Sequence, residues 1–178
     1  MKNIQIIILF LIGISFTAQA QFNPFAESFS FNEGATILSL GIGIKHDIQY
    51  GDYPTETKIP PLTLHLEKQV FNNFGLGLTL GVQIDKVPVY DYQYRYYGGG
   101  LRLTYHPYLF DNLDVYGGGT ATYRRVELTN LEDTVKNTSI DASWIAGVRY
   151  YFSESMGVFG EAGNDMLSHF RVGISFYL

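Results

Sequence analysis

The sequence predicts an all-β protein, an eight-stranded antiparallel up-and-down transmembrane β-barrel. Eight stretches alternate apolar and polar residues, which is the period of a strand with two unlike faces. Only 16% of the residues are charged, and nearly all charges within these stretches fall on the polar phase. No apolar run after the N-terminal signal approaches 18 residues, so a closed barrel is the structure that can present this apolar phase to lipid with its backbone paired.

The first 20 residues have the features of a secretory signal peptide. Lys2 precedes the apolar run of residues 4–16, and Thr17-Ala18-Gln19-Ala20 has the small residues of a cleavage site. Residues 21–33 match no strand pattern; this periplasmic N-terminal lead either trails from the barrel or tucks into its mouth. The predicted outer-membrane barrel is residues 34–178.

The connections between the predicted strands alternate between short and long. Short turns are predicted near Asn72-Asn73, near residues 109–112 and near residues 153–156, and longer polar loops at residues 47–59, 87–92 and 126–137. Outer-membrane barrels have short periplasmic turns and longer outer loops, so both chain termini are predicted to be periplasmic. The predicted strands are residues 34–46, 60–71, 74–86, 93–108, 112–125, 138–152, 157–164 and 167–178.

The placement of charge predicts which face meets lipid. The polar phase carries ten balanced charges: Lys45, Glu67, Asp85, Arg102, Asp114, Arg124, Asp141, Arg149, Glu161 and Arg171. Facing lipid, the central arginines would cost about 2–4 kcal/mol each near the bilayer midplane. The polar phase is therefore predicted to line the lumen, and the charges of the apolar phase, Lys68, Lys86, Arg95 and Arg125, lie near strand ends.

Aromatic residues cluster at two levels, which predicts two interfacial girdles. The periplasmic girdle is predicted to contain Phe71, Phe74, Tyr105, Tyr108, Phe152 and Phe176, and an outer cluster contains Tyr90, Tyr92, Tyr94, Tyr96, Tyr97 and Tyr123.

Five inward charges form the strongest candidate site: Glu67, Arg102, Arg149, Glu161 and Arg171. An eight-stranded barrel is just wide enough for side chains to fill it, so these residues predict a salt-bridged plug. The alternative is a narrow ion path through the same residues.

Other motifs give little support for catalysis or for cofactor binding. His65, His106 and His169 are predicted to point inward as members of a hydrogen-bond network, and no metal-ligand spacing is present. Ser168 and His169 are adjacent in a strand, so they face opposite ways and do not form a nucleophile–base pair. No cofactor, no metal and no enzyme activity are predicted.

Three C-terminal segments resemble a known family: Gly147-Val148-Arg149-Tyr150-Tyr151-Phe152, then residues 157–163, then Val172-Gly173-Ile174-Ser175-Phe176. Over residues 34–178 the chain resembles the outer-membrane β-barrel domain family, relatives of the small OmpA and OmpX type. The resemblance implies an outer-membrane location and a last strand read by barrel-assembly machinery.

The predicted function is that of a non-enzymatic barrel with a largely closed lumen, acting in a structural or interaction role through its surface loops or as a complex subunit. A small-solute channel and a lipid A-modifying enzyme are the alternatives. Expected partners are outer-membrane lipid, lipopolysaccharide and other outer-membrane proteins; the net charge of −5 argues against nucleic acid. Asp133-Thr134-Val135 resembles an O-glycosylation acceptor, which makes Thr134 a candidate modification site.

Overall fold

The chain folds into a closed antiparallel barrel in which each strand pairs with its sequence neighbours and β1 pairs with β8. The structure is a computed structural model that describes residues 34–45, 55–71, 73–107, 112–130, 134–165 and 167–178. The predicted fold class is confirmed. The strands are β1 Thr36–Lys45, β2 Glu56–Phe71, β3 Phe74–Val87, β4 Tyr92–Tyr105, β5 Leu113–Thr129, β6 Thr134–Tyr151, β7 Met156–Asp165 and β8 Ser168–Tyr177.

A single turn of 3₁₀ helix, Pro88–Tyr90, connects β3 to β4. Within the described residues, no helix has the length and apolar character that crossing a membrane requires.

The two ends of the barrel differ in shape. We call the end that holds the start of β1 and the end of β8 the terminus end, and the opposite one the loop end. At the loop end β5 and β6 stay paired as far as Thr129 and Thr134, whereas β7 pairs with β6 only as far as Gly163, opposite Ile145. The β5–β6 hairpin therefore rises above the neighbouring wall of β7 and β8.

The predicted long loops are shorter than expected. Residues 126–137 were predicted as a loop, but β5 continues to Thr129 and β6 begins at Thr134. Alternation persists through this segment, and Glu127 lies opposite Lys136, an opposite-charge pair that favours continued pairing. In the same way β2 begins at Glu56, inside the predicted loop 47–59; residues 46–54 lie outside the described part of the chain.

Polar side chains face the lumen and apolar side chains face outward. On β3, Thr79, Gln83 and Asp85 are completely buried, while Leu76 and Leu80 are about half exposed, at 49% and 56%. The same alternation of faces runs around the barrel, so its outer wall is an apolar belt that water would solvate poorly. The arrangement is the reverse of a soluble barrel and matches a protein surrounded by lipid.

Rows of paired residues climb toward the loop end from β1 to β8. The row that begins at Ile37 passes Glu67, Arg102 and Thr120 and reaches Ser143 on β6, two residues beyond Ile145, where the β6–β7 ladder ends. This is the stagger that closes tilted strands into a barrel.

Close strand contact at some positions requires glycine. A Cβ on Gly173 would lie 1.9 Å from the carbonyl oxygen of Leu40, and one on Gly118 would lie 2.1 Å from that of Leu103.

Candidate functional site

The centre of the lumen holds one glutamate between two arginines from different strands. Glu161 on β7 accepts hydrogen bonds from Arg102 on β4, at 2.7 Å between Nη2 and Oε2 and 3.3 Å between Nη1 and Oε1. Arg171 on β8 places its Nε 3.2 Å from Oε1 of Glu161. All three side chains are essentially inaccessible to solvent, and the pair of Arg102 and Glu161 joins opposite walls of the barrel.

His65 fills the space beside these arginines. Its Nδ1 lies 2.9 Å from Oγ1 of Thr79 and 3.1 Å from Nη1 of Arg102, and its Nε2 lies 3.4 Å from Nη1 of Arg171. The edge of the ring meets Phe159, with 6.3 Å between ring centroids. His65 thus lies between the two guanidinium groups and the phenyl ring.

A second layer of charge lies toward the terminus end. Arg149 donates from Nη1 to Oδ2 of Asp114 at 2.5 Å and from Nε to Oγ of Ser175 at 3.1 Å. Its guanidinium also lies over the ring of Tyr116, 5.0 Å from the centroid, and the hydroxyl of Tyr116 donates to Glu161 at 2.9 Å. Tyr116 therefore connects this layer with the central one.

His106 links the two acids of this second layer. It follows β4 directly, at the terminus end, and its Nδ1 lies 2.7 Å from Oδ1 of Asp114 while its Nε2 lies 2.6 Å from Oε1 of Glu67. Burial lowers the pKa of His106, but hydrogen bonds to Asp114 and Glu67 outweigh it and raise the pKa above its ordinary value of 6.5. Both ring nitrogens then donate, as they do in an imidazolium.

The buried charges of the described residues balance one another. Four acids are buried, Glu67, Asp85, Asp114 and Glu161, against the three arginines Arg102, Arg149 and Arg171. A protonated His106 supplies the fourth positive charge. Such balance is what a lumen of low dielectric requires, because an uncompensated buried charge is very costly.

Leu167 and Tyr96 pack together in the lumen at the loop end. Leu167, in the turn between β7 and β8, is only 4% exposed and also reaches β3, where a Cβ added to Gly81 would meet its side chain at 2.8 Å. The buried Gln83, opposite Tyr96, donates to the buried Asp85 at 2.6 Å at the same end. The lumen is thus filled in three layers: this mixed layer at the loop end, Arg102–Glu161–Arg171 in the middle, and His106–Asp114–Arg149 at the terminus end.

The five residues of the predicted lumen network all lie in these layers. Glu67 contacts Arg102 more loosely than Glu161 does, with 3.7 Å between its Oε2 and Nε of Arg102. Sequence reasoning did not include Asp114 in the network, although its place on the polar phase was a usable signal. Leu167 was missed because nothing in the sequence shows that a short turn folds over the mouth.

Two predicted orientations are wrong. His169 was predicted to face the lumen, but it is exposed and Ser168 is buried in its place. Pairing is irregular on both sides of β8 here, because the β1–β8 register shifts between Gly43 and Lys45 and the β7–β8 register shifts between Ala162 and Asp165, so regular alternation does not hold at Ser168 and His169. Tyr96 was placed in the outer aromatic cluster, yet it is 4% exposed inside the barrel, with Tyr94 stacked beside it at 6.5 Å.

The remaining candidate residues lie on the outer surface. Phe71, Tyr105 and Phe152 of the predicted periplasmic girdle are exposed, whereas Phe74 and Phe176 are partly buried and Tyr108 lies outside the described residues. Phe74 packs between Phe71 and Tyr105, with centroids 5.0 and 5.1 Å apart. Thr134 is exposed at the first position of β6.

The lumen side chains of the described residues do not form an accessible catalytic centre. Thr104, His106 and Asp114 are connected in the order of a hydroxyl, a base and an acid, with 3.0 Å between Thr104 Oγ1 and His106 Nε2. However, Glu67 lies closer to the same nitrogen, and the threonine is 1% exposed. No group of three or more metal-ligating side chains occurs in the part of the chain that the structure describes.

Solved structures with this architecture are small outer-membrane barrels. The N-terminal β-barrel domain of OprF from Pseudomonas aeruginosa superposes with a TM-score of 0.59 at 14% identity, over 83% of this chain and 98% of that domain. Ail, the attachment invasion locus protein of Yersinia pestis, gives 0.52 at 14% identity, over 82% and 96%. Neisserial surface protein A gives 0.53 at 12% identity, over 82% and 94%.

No protein-family model and no curated protein sequence matches this chain. On the basis of the solved structures, the chain has the fold of small eight-stranded outer-membrane β-barrels, and this likeness supports an outer-membrane location.

Proposed function

We propose that the protein is a non-enzymatic outer-membrane barrel with a closed lumen, which acts in a structural or interaction role through its loop end. The observation that supports this most directly is the ion pair between Arg102 and Glu161 across the middle of the lumen. In this proposal the terminus end is periplasmic and the loop end faces outward, so that both chain termini lie in the periplasm. The C-terminal strand, which ends near Phe176, is the segment that barrel-assembly machinery would read.

The layered filling of the lumen favours a plug over an ion path. An ion passing the middle layer would have to displace Arg102 or Arg171 from Glu161, which leaves charges unpaired at low dielectric. It would then have to pass the loop-end layer, where Leu167 packs on Tyr96 and both side chains are only 4% exposed. A conducting pore needs sites that exchange water for polar groups along its whole length.

Planar-bilayer recording tests the closed lumen. The refolded chain is inserted into bilayers, with a porin at equal concentration as a positive control for insertion and detection. Folded state is checked first by protection of the strands from protease. Currents at baseline are expected; a stable open current would instead favour the small-solute channel.

Mass spectrometry of lipid A tests the non-enzymatic role. Lipid A from cells with the gene, without it, and with a Thr104→Val variant should be identical, because the hydroxyl–histidine–acid group is buried. If the acyl pattern of lipid A changes when the gene is deleted and is restored when the gene is reintroduced, the result would instead favour a lipid A-modifying enzyme.

The raised hairpin of β5 and β6 is the surface that this role would use. Beyond Ile145, β6 has only β5 as a strand partner among the described residues, and Thr134 is exposed at its start. Other outer-membrane proteins could bind there, and Thr134 is the proposed O-glycosylation site. Mass measurement after purification in mild detergent tests both proposals. A bound subunit would support the interaction role, and a glycan that is present on the wild type but absent from the Thr134→Ala variant would support modification at Thr134. A monomer with neither would contradict both.

A further inference from the structure

The outward face of the barrel carries a basic row near the loop end. Lys86 on β3, Arg95 on β4 and Arg125 on β5 all belong to the outward, otherwise apolar phase. Three neighbouring strands thus each contribute one cation to a face that elsewhere meets lipid.

The three cations form a diagonal across the sheet. In the sheet register Lys86 lies opposite Gln93, and Arg95 is the next outward residue of β4 toward the terminus end. Arg95 in turn lies opposite Glu127, and Arg125 is the next outward residue of β5 toward the terminus end. Diagonal neighbours of this kind lie roughly 7–8 Å apart. Rows of directly opposite residues climb toward the loop end from β3 to β5. Because Arg95 and Arg125 each lie two residues closer to the terminus end than the partner of the preceding cation, the three side chains lie at a similar level along the barrel axis.

The residues below the basic row are those of a membrane interface. Tyr97, opposite Arg125, and Tyr123, two residues further toward the terminus end, are both outward and exposed. Leu80 and Leu101 follow at the next level and are more than half exposed. Cations directly above tyrosines and aliphatic residues stand at the level of lipid headgroups.

Local partners satisfy the basic row only in part. Lys86 pairs with Asp91 in a solvent-exposed contact and lies opposite Glu56, and Arg125 pairs with Glu127, whose side chain is 17% exposed. Arg95 donates from Nε and Nη2 to the neutral amide of Gln93, at 3.1 and 2.7 Å, and forms no ion pair with another described residue. The Nε of Arg125 is shielded from solvent and has no hydrogen-bond acceptor. Lys136, opposite Glu127, adds a further outward cation.

We infer that Lys86, Arg95 and Arg125 bind the phosphates of a phosphorylated glycolipid in the outer leaflet. The inference rests on the proposed outward orientation of the loop end. Guanidinium groups match phosphate oxygens with paired hydrogen bonds, and the Arg125 side chain is 38% exposed on the outer face. The chain as a whole is acidic, at −5, so this local excess of positive charge is specific to the headgroup level of one wall.

Native mass spectrometry of the full chain tests the site. The protein is reconstituted in phosphatidylcholine nanodiscs doped with lipid A, and the retained lipid A is counted after release. Arg95→Gln with Arg125→Gln is compared with a matched control, Lys68→Gln with Arg124→Gln, which removes the same charge from the terminus end and from the lumen side. We expect lipid A retention to fall about fivefold for each arginine of the row and to stay unchanged in the control.

Two further arms decide which lipid is bound. The first arm uses lipid A from which the phosphates have been removed. The wild type and the Arg95→Gln, Arg125→Gln double variant should retain this lipid equally. Equal loss in the control variant, or equal retention of phosphatidylglycerol at matched charge, would overturn the inference. If the barrel does not conduct but lipid A retention does not depend on the arginines, the lipid site is contradicted and the proposed function is not. If the barrel conducts but retention depends on the lipid A phosphates, the proposed function is contradicted and the lipid site is supported.

Discussion

Arg102 and Glu161 form a two-pronged ion pair between strands on opposite walls of the barrel, with 2.7 Å between Nη2 and Oε2. Neither strand is a neighbour of the other in the sheet, so this contact braces the lumen in a direction that no backbone hydrogen bond covers. The same carboxylate also holds Arg171 and the hydroxyl of Tyr116. Glu161 is therefore the acceptor on which the central layer depends.

Replacing Glu161 with glutamine should destabilise the barrel strongly. Glu161→Gln leaves Arg102 and Arg171 buried without their counter-charge, and breaking a buried pair in this way costs about 3–5 kcal/mol. The free energy of unfolding can be followed in lipid vesicles with urea, using the fluorescence of Trp144, the single tryptophan, which faces outward.

The pair of Arg124 and Asp141 offers the control for that measurement. Its atoms are 3.4 Å apart and both side chains are about 40% exposed. Asp141→Asn should change the free energy of unfolding by less than about 1 kcal/mol, since water already screens the charges. Similar losses in both variants would contradict the structural importance of the central layer.

Gly173 should tolerate no side chain. In Gly173→Ala the new Cβ would lie 1.9 Å from the carbonyl oxygen of Leu40 and 2.7 Å from the ring of Phe159, so β1 and β8 must separate. Overpacking of this kind costs about 1–3 kcal/mol. Gly160→Ala is the matched control, because its nearest atom would be 3.9 Å away, and unfolding in urea should distinguish the two variants.

His106 should make stability depend on pH. Its folded-state pKa is raised above the ordinary 6.5, so its contribution is complete below that value and is lost as pH rises through the folded-state pKa. The difference in unfolding free energy between the wild type and His106→Gln should therefore be largest below about pH 6.5 and shrink as pH rises through the folded-state pKa. A difference that does not fall as pH rises would show that His106 acts by packing alone.

The sequence was sufficient to predict the barrel and the central charged residues of its lumen. Period two assigns each residue to a face, and the charges of Arg102, Arg149 and Arg171 decide which face is inside. The partners were not predictable, because Glu161 meets Arg102 across the lumen and that contact depends on strand tilt and register. Even so, counting back by twos from Arg102 places Tyr96 inside, a signal that the clustering of tyrosines obscured.

Irregular pairing on both sides of β8 accounts for the wrong orientation of His169. The register shifts by one residue between β1 and β8 at Gly43 and Lys45 and again between β7 and β8 at Ala162 and Asp165, and no residue type in these segments marks the shifts. The Ser168 side chain lies against Gly43, since a Cβ on Gly43 would lie 2.5 Å from the Ser168 hydroxyl oxygen. Packing between two strands more than 100 residues apart decides the phase there, and local sequence does not report it.

Leu167 should contribute to stability without being the sole barrier in the lumen. Leu167→Ala removes the contacts with Tyr96 and Gly81 and leaves a cavity at the loop end, for which about 2–4 kcal/mol of unfolding free energy is expected. Bilayer currents should nevertheless stay at baseline, because the layer of Arg102, Glu161 and Arg171 below it is intact. Steady conductance in Leu167→Ala, with a folded barrel, would show that the turn between β7 and β8 alone closes the lumen and that the ion-paired layers admit ions.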